Sequence, residues 1–187
     1  MSRYQTVVLY EDQLCGEKPK SYGPHVLALA CVADRRACDR WNIGRQIDGR
    51  PCKGNAKLRW QVAQNAGRLT RACHQVVAVF DDDKVRGCYG LHASECRPAV
   101  LQAIKGQASA PITVVLLERN MESLVDACCR CLRRTPPDGK PTPRERDAIL
   151  HDAANAGRSV RDAILADMTS FERLVSVLEN VVVASDG

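Results

Sequence analysis

The sequence predicts an α/β fold, with a doubly wound, mostly parallel β-sheet and a C-terminal helical extension. Up to about residue 134, apolar runs of strand length alternate with segments of helical periodicity, which is typical of parallel sheets. The run at 76–80 (Val-Val-Ala-Val-Phe) is apolar without alternation, as expected for a strand buried on both faces. Four prolines and a glycine at 135–143 then interrupt this pattern, which indicates a boundary or an exposed loop.

The first half of the chain predicts two strands and two helices. The first strand is expected at 4–10, and a helix follows at 23–37, where Pro24 suits the first turn. Glycines and a proline at 41–54 predict a loop that leaves room only for a short strand around 41–47. A second helix is expected at 55–73, where apolar side chains recur every three or four residues. The buried strand described above comes next.

The second half predicts one more strand and a series of helices. A glycine-containing loop to His92 should follow the buried strand, and a third helix should open at Ser94 and end at Gly106. A strand at 112–117 leads into a helix from 121 to about 133. Thr142 and Pro143 resemble an N-cap and a first helical residue, and three further helices are expected to about 156, to 168 and from Ser170 onwards.

This order of elements divides the chain into two parts. Residues 1–134 are predicted to form the α/β domain, and residues 135–187 a helical extension packed on that same domain. No apolar stretch reaches the roughly 20 residues that a membrane-spanning helix needs. The start of the chain also lacks a secretory signal pattern, so we expect a cytoplasmic protein without a membrane partner.

Composition limits the possible partners. The 27 basic and 22 acidic side chains give a net charge of +5, which permits contacts with phosphates without demanding them. Few aromatic residues are present, so a base-stacking platform is not expected, and any polynucleotide would be held by its backbone. The ten cysteines are expected to be reduced thiols, because the long helical patterns and the missing signal do not fit a secreted disulfide framework.

Acidic side chains follow three of the predicted strands. Glu11 and Asp12 follow the first, Asp81 to Asp83 follow the buried one, and either Glu118 or Glu122 provides the acid just beyond the strand at 112–117. Because the carboxyl ends of parallel strands share one edge of a sheet, these side chains are expected to converge there. Carboxylate oxygens are the ligands that Mg²⁺ and Mn²⁺ prefer. The sequence therefore predicts a divalent-cation site at this edge.

The pattern resembles the TOPRIM-like family, the metal-binding fold of topoisomerases, DnaG-type primases and OLD nucleases. Glu11 after the first strand and the Asp81-x-Asp83 pair after a later strand carry the resemblance. The segment Val114 to Ala127 is also similar to the strand and acid-bearing helix that follow the aspartate pair in small stand-alone TOPRIM-like proteins. One departure is Asp12, which stands where the family usually has glycine.

The resemblance implies a divalent-metal-dependent nuclease or a related phosphodiester-transfer protein. Asp81 and Asp83 would bind Mg²⁺ or Mn²⁺, and Glu11 would be a further ligand or the general acid or base. Glu122 would complete a second metal site, and Lys140 would be the catalytic cation that neutralises the transition state. The resemblance also implies an ATPase partner and a role as the effector of an ATPase-linked defence system.

The predicted helix at 55–73 and the residues just before it provide a candidate nucleic-acid-binding face. Its basic side chains are suited to contacts with a DNA or RNA backbone, although a solvated helix face has the same composition. The residues are Lys53, Lys57, Arg59, Arg68 and Arg71.

Two other functions remain open from the sequence. The first is a non-catalytic TOPRIM-like interaction or regulatory module, which the missing glycine after Glu11 favours. The second is a phosphatase of the haloacid dehalogenase type, because Asp81 to Val85 loosely matches its nucleophile motif. That family places the motif on its first strand, however, whereas here it follows a later one.

Overall fold

A four-stranded, all-parallel β-sheet lies at the centre of the protein. The computed structural model describes residues 5–11, 23–118 and 120–183. The strands are β1 (Thr6–Tyr10), β2 (Ile47–Pro51), β3 (Gln75–Asp81) and β4 (Thr113–Leu117), in the spatial order β2-β1-β3-β4. The predicted α/β class and parallel sheet are confirmed. All four strands point the same way, so their carboxyl ends share one edge.

Helices connect these strands and continue beyond the last of them. No helix within the described ranges is long and apolar enough to cross a membrane. The helices are α1 (Pro24–Arg36), α2 (Arg40–Gly44), α3 (Asn55–Trp60), which runs through a π-helical turn (Gln61–Asn65) into α4 (Ala66–Ala72), α5 (Asp82–Cys88), α6 (Arg97–Gln107), α7 (Met121–Cys131), α8 (Pro143–Asn155), α9 (Arg158–Asp167) and α10 (Thr169–Val183).

Helices cover both faces of the sheet. Alternate strand residues such as Val8 and Val77 pack with α1 and with α7 to α10, whereas their neighbours Val7 and Val76 pack with α3 to α6. Successive side chains of a strand point to opposite faces, so apolar residues at every position give two cores. The helices after residue 142 share one of these cores with the sheet, while the division at 134/135 remains a prediction.

The prediction for residues 41–54 was wrong. This segment forms α2 and the edge strand β2, rather than a loop with a short strand around 41–47. An edge strand pairs on one side only, so it tolerates Pro51 at its end. Gly49 is needed for packing, because a Cβ there would lie 2.1 Å from the ring of His25. Glycine and proline, which usually indicate loops, therefore have structural roles in a strand here.

The loop predicted between Asp83 and His92 was also wrong in its first part. Residues 82–88 form α5, which begins directly at the end of β3. Asp82 and Asp83 lie in its first turn, where the helix dipole favours negative charge. Val85, in the same helix, is fully buried. As a result, Asp81 ends a strand whereas Asp83 belongs to a helix.

The other long helices are confirmed, and the start of α8 is well defined. The Thr142 side chain accepts a hydrogen bond from the Glu145 backbone N–H at 3.3 Å, and the Thr142 backbone N–H donates to Glu145 Oε2 at 2.7 Å. Such a reciprocal pair satisfies two N–H groups that the helix itself cannot pair. It fixes where α8 begins and thereby positions the residues of its first turns. The cysteines of the described ranges are all free.

Candidate functional site

Charged side chains line a cavity at the carboxyl edge of the sheet. Glu11 follows β1 directly, and Asp81 is the last residue of β3. We call this space the edge cavity, and its volume is about 300 Å³. Its charged lining residues lie just after β1, at the end of β3, in α5, α7 and α8, and in the α7–α8 connection. They are Glu11, Asp81, Lys84, Glu122, Lys140 and Arg146.

The carboxyl groups of Glu11 and Asp81 lie close enough together in this cavity to share a hydrogen bond. Two carboxyl groups can share a hydrogen bond only when one of them carries a proton. Burial raises the pKa of Glu11 above its ordinary value. Burial together with the negative charge of Glu11 raises the pKa of Asp81 to about 7, and the Asp81 residue is only 4% exposed. The pair therefore holds a proton near neutral pH, which a bound cation would displace.

Two lysines balance the carboxylates of the edge cavity. Lys84 Nζ lies 3.6 Å from Asp81 Oδ2, and Lys140 Nζ lies 3.0 Å from Glu122 Oε1. Burial alone would lower the pKa of Lys84, but the charges of the nearby carboxylates, Glu11 and Asp81 foremost, together outweigh it and raise that pKa. Burial is the largest influence on Glu122 and would raise its pKa, but the hydrogen bond with Lys140, a backbone hydrogen bond and the charges of both lysines together outweigh burial and lower that pKa. Lysines and carboxylates are thus arranged in complementary pairs.

Two carboxylate oxygens of the cavity are buried without a hydrogen-bond partner among the described residues. They are Glu11 Oε2 and Glu122 Oε2. Buried polar atoms in native proteins almost always have a partner, which can be a water or an ion. These two oxygens are therefore donor atoms available to a cation or its bound water.

The predicted ligand Asp83 lies apart from the lining of the cavity. It is exposed, and its Oδ2 accepts a hydrogen bond from Asn120 Nδ2 at 3.0 Å. Its charge is nevertheless close enough to raise the pKa values of Glu11 and Asp81. The middle acid, Asp82, contacts Arg86 at 2.9 Å and Arg97 at 3.3 Å. Of the four predicted ligands, Glu11, Asp81 and Glu122 thus share one cavity and Asp83 lies beside it.

The donor set fits a hydrated cation better than a fully protein-coordinated one. Within the described ranges, no three or more His, Cys, Asp or Glu side chains are arranged as a ready-made metal site. Mg²⁺ usually keeps several waters and is bound by one or two carboxylates plus substrate phosphates. The pair formed by Glu11 and Asp81, with the open oxygen of Glu122 in the same cavity, matches that requirement.

Sequence reasoning missed two cations of the site, Lys84 and Arg146. Lys84 stands three residues after Asp81, a spacing that brings side chains together on a helix, but this segment was predicted to be a loop. Arg146 is only 8% exposed and lies in α8. No local pattern indicates that α8 reaches the sheet edge, because that position depends on tertiary packing.

The predicted nucleic-acid-binding residues are all exposed, although they are not equivalent. Arg59 donates to the backbone carbonyl of Cys88 and to Gln107 Oε1, and its guanidinium carbon lies 5.2 Å from the ring centroid of Tyr89. Its side chain is thus engaged within the protein. The other members of the predicted set are Lys53, Lys57, Arg68 and Arg71. That these five residues contact nucleic acid stays a prediction.

The fold and site define an α/β protein with a parallel sheet and a cluster of carboxylates and cations at its carboxyl edge. No protein-family model matches the chain, and a search of curated proteins finds no match. Among solved structures, the chain is similar to the C-terminal region of the Burkholderia pseudomallei OLD protein, with a TM-score of 0.37 and 8% identity. The match covers 95% of this chain and 87% of the other.

Proposed function

We propose that the protein is a divalent-metal-dependent nuclease or phosphodiester-transfer protein with a TOPRIM-like site. The observation that carries the proposal is the convergence of Glu11 and Asp81, from two neighbouring strands, in one cavity with Lys84 and Lys140. Paired carboxylates hold a hard cation, and the adjacent cations suit a substrate that carries negative charge. Both features suit metal-assisted phosphodiester chemistry.

Each residue has a role in this proposal. Glu11 and Asp81 would hold Mg²⁺ or Mn²⁺, and Glu122 and Asp83 would serve a second ion or the waters around the first. When bound, the metal would polarise the scissile phosphate and stabilise the charge on the attacking and leaving oxygens. Lys140, which pairs with Glu122 in the free protein, would turn to the negative charge that develops on the phosphate. In the alternative role, Glu11 would leave the metal to Asp81 and, once it has lost the shared proton, would act as the general acid or base.

The proposed substrate is a nucleic-acid backbone, either DNA or RNA. The exposed cations of α3 and α4 would then contact phosphates away from the reacting group. The ATPase partner and the role in an ATPase-linked defence system remain proposals that rest on the resemblance alone.

A non-catalytic module is the second candidate, and the ion pairs favour it. Lys84 already pairs with Asp81 and Lys140 with Glu122, so the cluster compensates its own charge. A purely structural network has the same property. The two candidates differ in whether a divalent ion replaces the lysines at the carboxylates.

Cleavage assays test the proposed function. We expect single- or double-stranded DNA or RNA to be cleaved in Mg²⁺ or Mn²⁺ and to remain intact in EDTA. The Glu11→Gln substitution removes a ligand charge and should lower the rate about 100-fold or more. Glu95→Gln is the matched control, because Glu95 is exposed and does not line the edge cavity.

Two outcomes of these assays would contradict the nuclease. One is the absence of metal-dependent cleavage of every substrate by the folded protein. The other is equal activity of the Glu11→Gln variant and the wild type, since an activity that does not need Glu11 does not arise in this cavity.

A further inference from the structure

We propose that Arg146 binds the substrate phosphate, with its guanidinium group donating to the non-bridging oxygens of a phosphodiester in the edge cavity. This inference rests on the proposed function, from which it takes the phosphodiester as ligand. In this inference α8 provides the cation that recognises the phosphate, whereas the ends of β1 and β3 provide the carboxylates. Arg146 had no role in the sequence-based prediction.

The position of Arg146 is fixed by the start of α8. The capping box of Thr142 and Glu145 defines the first turn, and the Arg146 backbone N–H donates to the carbonyl of Thr142 at 3.0 Å. The residue is only 8% exposed, yet its side chain lines the edge cavity together with Glu11 and Asp81. A long, charged side chain held at a buried position is ordered before a ligand arrives, which lowers the entropy cost of binding.

The chemistry of the three cations separates their roles. Lys84 and Lys140 are point charges, and their side chains are 42% and 69% exposed. Arginine presents a planar fork of donors that matches two oxygens of a phosphate at once, and it stays charged at any physiological pH. Among these cations, only Arg146 combines burial with that geometry.

The size of the edge cavity agrees with a small anionic group. A volume of about 300 Å³ lies at the lower end of ordinary ligand sites. It accommodates one phosphodiester with parts of its flanking sugars. The carboxylates that line the same cavity also require the phosphate to have a cationic anchor, because like charges would otherwise repel it.

The experiment measures binding rather than cleavage. A dinucleotide with one phosphodiester is titrated into the full-length protein in EDTA, and the dissociation constant is obtained from NMR shifts. Arg146→Lys keeps the charge and loses the fork, so binding should weaken about 10-fold. Arg144→Lys is the matched control, since Arg144 lies on the same helix but is exposed and outside the cavity lining; it should bind like the wild type. The uncharged methylphosphonate dinucleotide should bind weakly to all three proteins.

Equal affinities of Arg146→Lys and the wild type would overturn the proposal. If the variant does not fold, the wild type still decides, because its assigned Arg146 Nε–H signal should shift with the dinucleotide and not with the methylphosphonate. An unmoved signal contradicts the assignment. Binding through Arg146 without cleavage in Mg²⁺ would leave this inference intact and remove the proposed function, whereas Glu11-dependent cleavage with no effect of Arg146 would do the opposite.

Discussion

Replacing Asp81 with asparagine is expected to make the metal-free protein more stable and, at the same time, inactive in Mg²⁺. Asp81 is 4% exposed, and burial together with the charge of Glu11 raises its pKa to about 7. This shift already includes the favourable effect of Lys84, so an ionised Asp81 is a net cost to the fold. Asparagine has nearly the same shape and no charge, and its amide can donate to Glu11 in place of the shared proton.

We expect Asp81→Asn to raise the free energy of unfolding at pH 8 in EDTA by roughly 1–3 kcal/mol. Cleavage in Mg²⁺ should fall about 100-fold or more, because a neutral amide is a poor ligand for a hard cation. Urea unfolding and a cleavage assay on the same preparation measure both effects. Asp126→Asn, an exposed substitution on α7, should change neither quantity.

The opposite result for stability would be informative. If Asp81→Asn is less stable than the wild type at pH 8, the ion pair with Lys84 outweighs burial and the site is a structural network. An Asp81→Asn protein that keeps full activity would show that Asp81 does not bind the catalytic cation.

The second large effect concerns pH: the difference in the free energy of unfolding between the wild type and Asp81→Asn should depend on it. The pKa of Asp81 rises on folding from 3.8 to about 7. Between these values the folded state keeps a proton that the unfolded chain has lost, so wild-type stability falls as pH rises through this window. The advantage of Asp81→Asn should therefore be smallest near pH 4 and reach its full size above pH 7.

The wild type has to be compared with Asp81→Asn because His25 changes the stability of both proteins with pH in the opposite direction. Burial lowers the pKa of His25 from 6.5 to about 4. The unfolded chain then binds the extra proton in this range, and wild-type stability rises with pH through it. Because His25 is common to both proteins, its contribution cancels in the comparison.

Unfolding curves in EDTA at about pH 4.5, 6 and 8 measure this effect. Added Mg²⁺ or Mn²⁺ should stabilise the wild type far more than Asp81→Asn, and most strongly at pH 8, since a ligand that binds only the folded state raises its stability. A difference in the free energy of unfolding between the two proteins that is the same at all three pH values would contradict the raised pKa of Asp81.

The parts of the fold that are buried on both sides were predictable from the sequence. β3 and β4 are uninterrupted apolar runs, and helices such as α1 and α7 carry regular apolar spacing and end signals. β4 and β2 lie at the two edges of the sheet, but β2 is only partly buried and contains Gly49 and Pro51, so it has the composition of a loop and was missed. α5 was missed because a seven-residue helix is too short to give a clear period.

The candidate site was predictable to the extent that it follows from topology. Parallel strands end at one edge, so Glu11 and Asp81 were expected to meet, and the structure brings them into one cavity. The difference between Asp81 and Asp83 depends on where β3 ends and α5 begins, which the sequence did not define. The position of Arg146 depends on how α8 packs against the sheet edge, and this long-range contact has no local signal.

The central claim is that Glu11 and Asp81 together bind a divalent cation at the edge of the sheet. A crystal soaked in Mn²⁺ at about pH 8 tests it directly through anomalous diffraction. We expect an anomalous peak within bonding distance of carboxylate oxygens of both residues, with the Asp81–Lys84 ion pair opened. A crystal in Mn²⁺ that has no peak there, and in which the hydrogen bond between Glu11 and Asp81 and the contact with Lys84 persist, would contradict the claim.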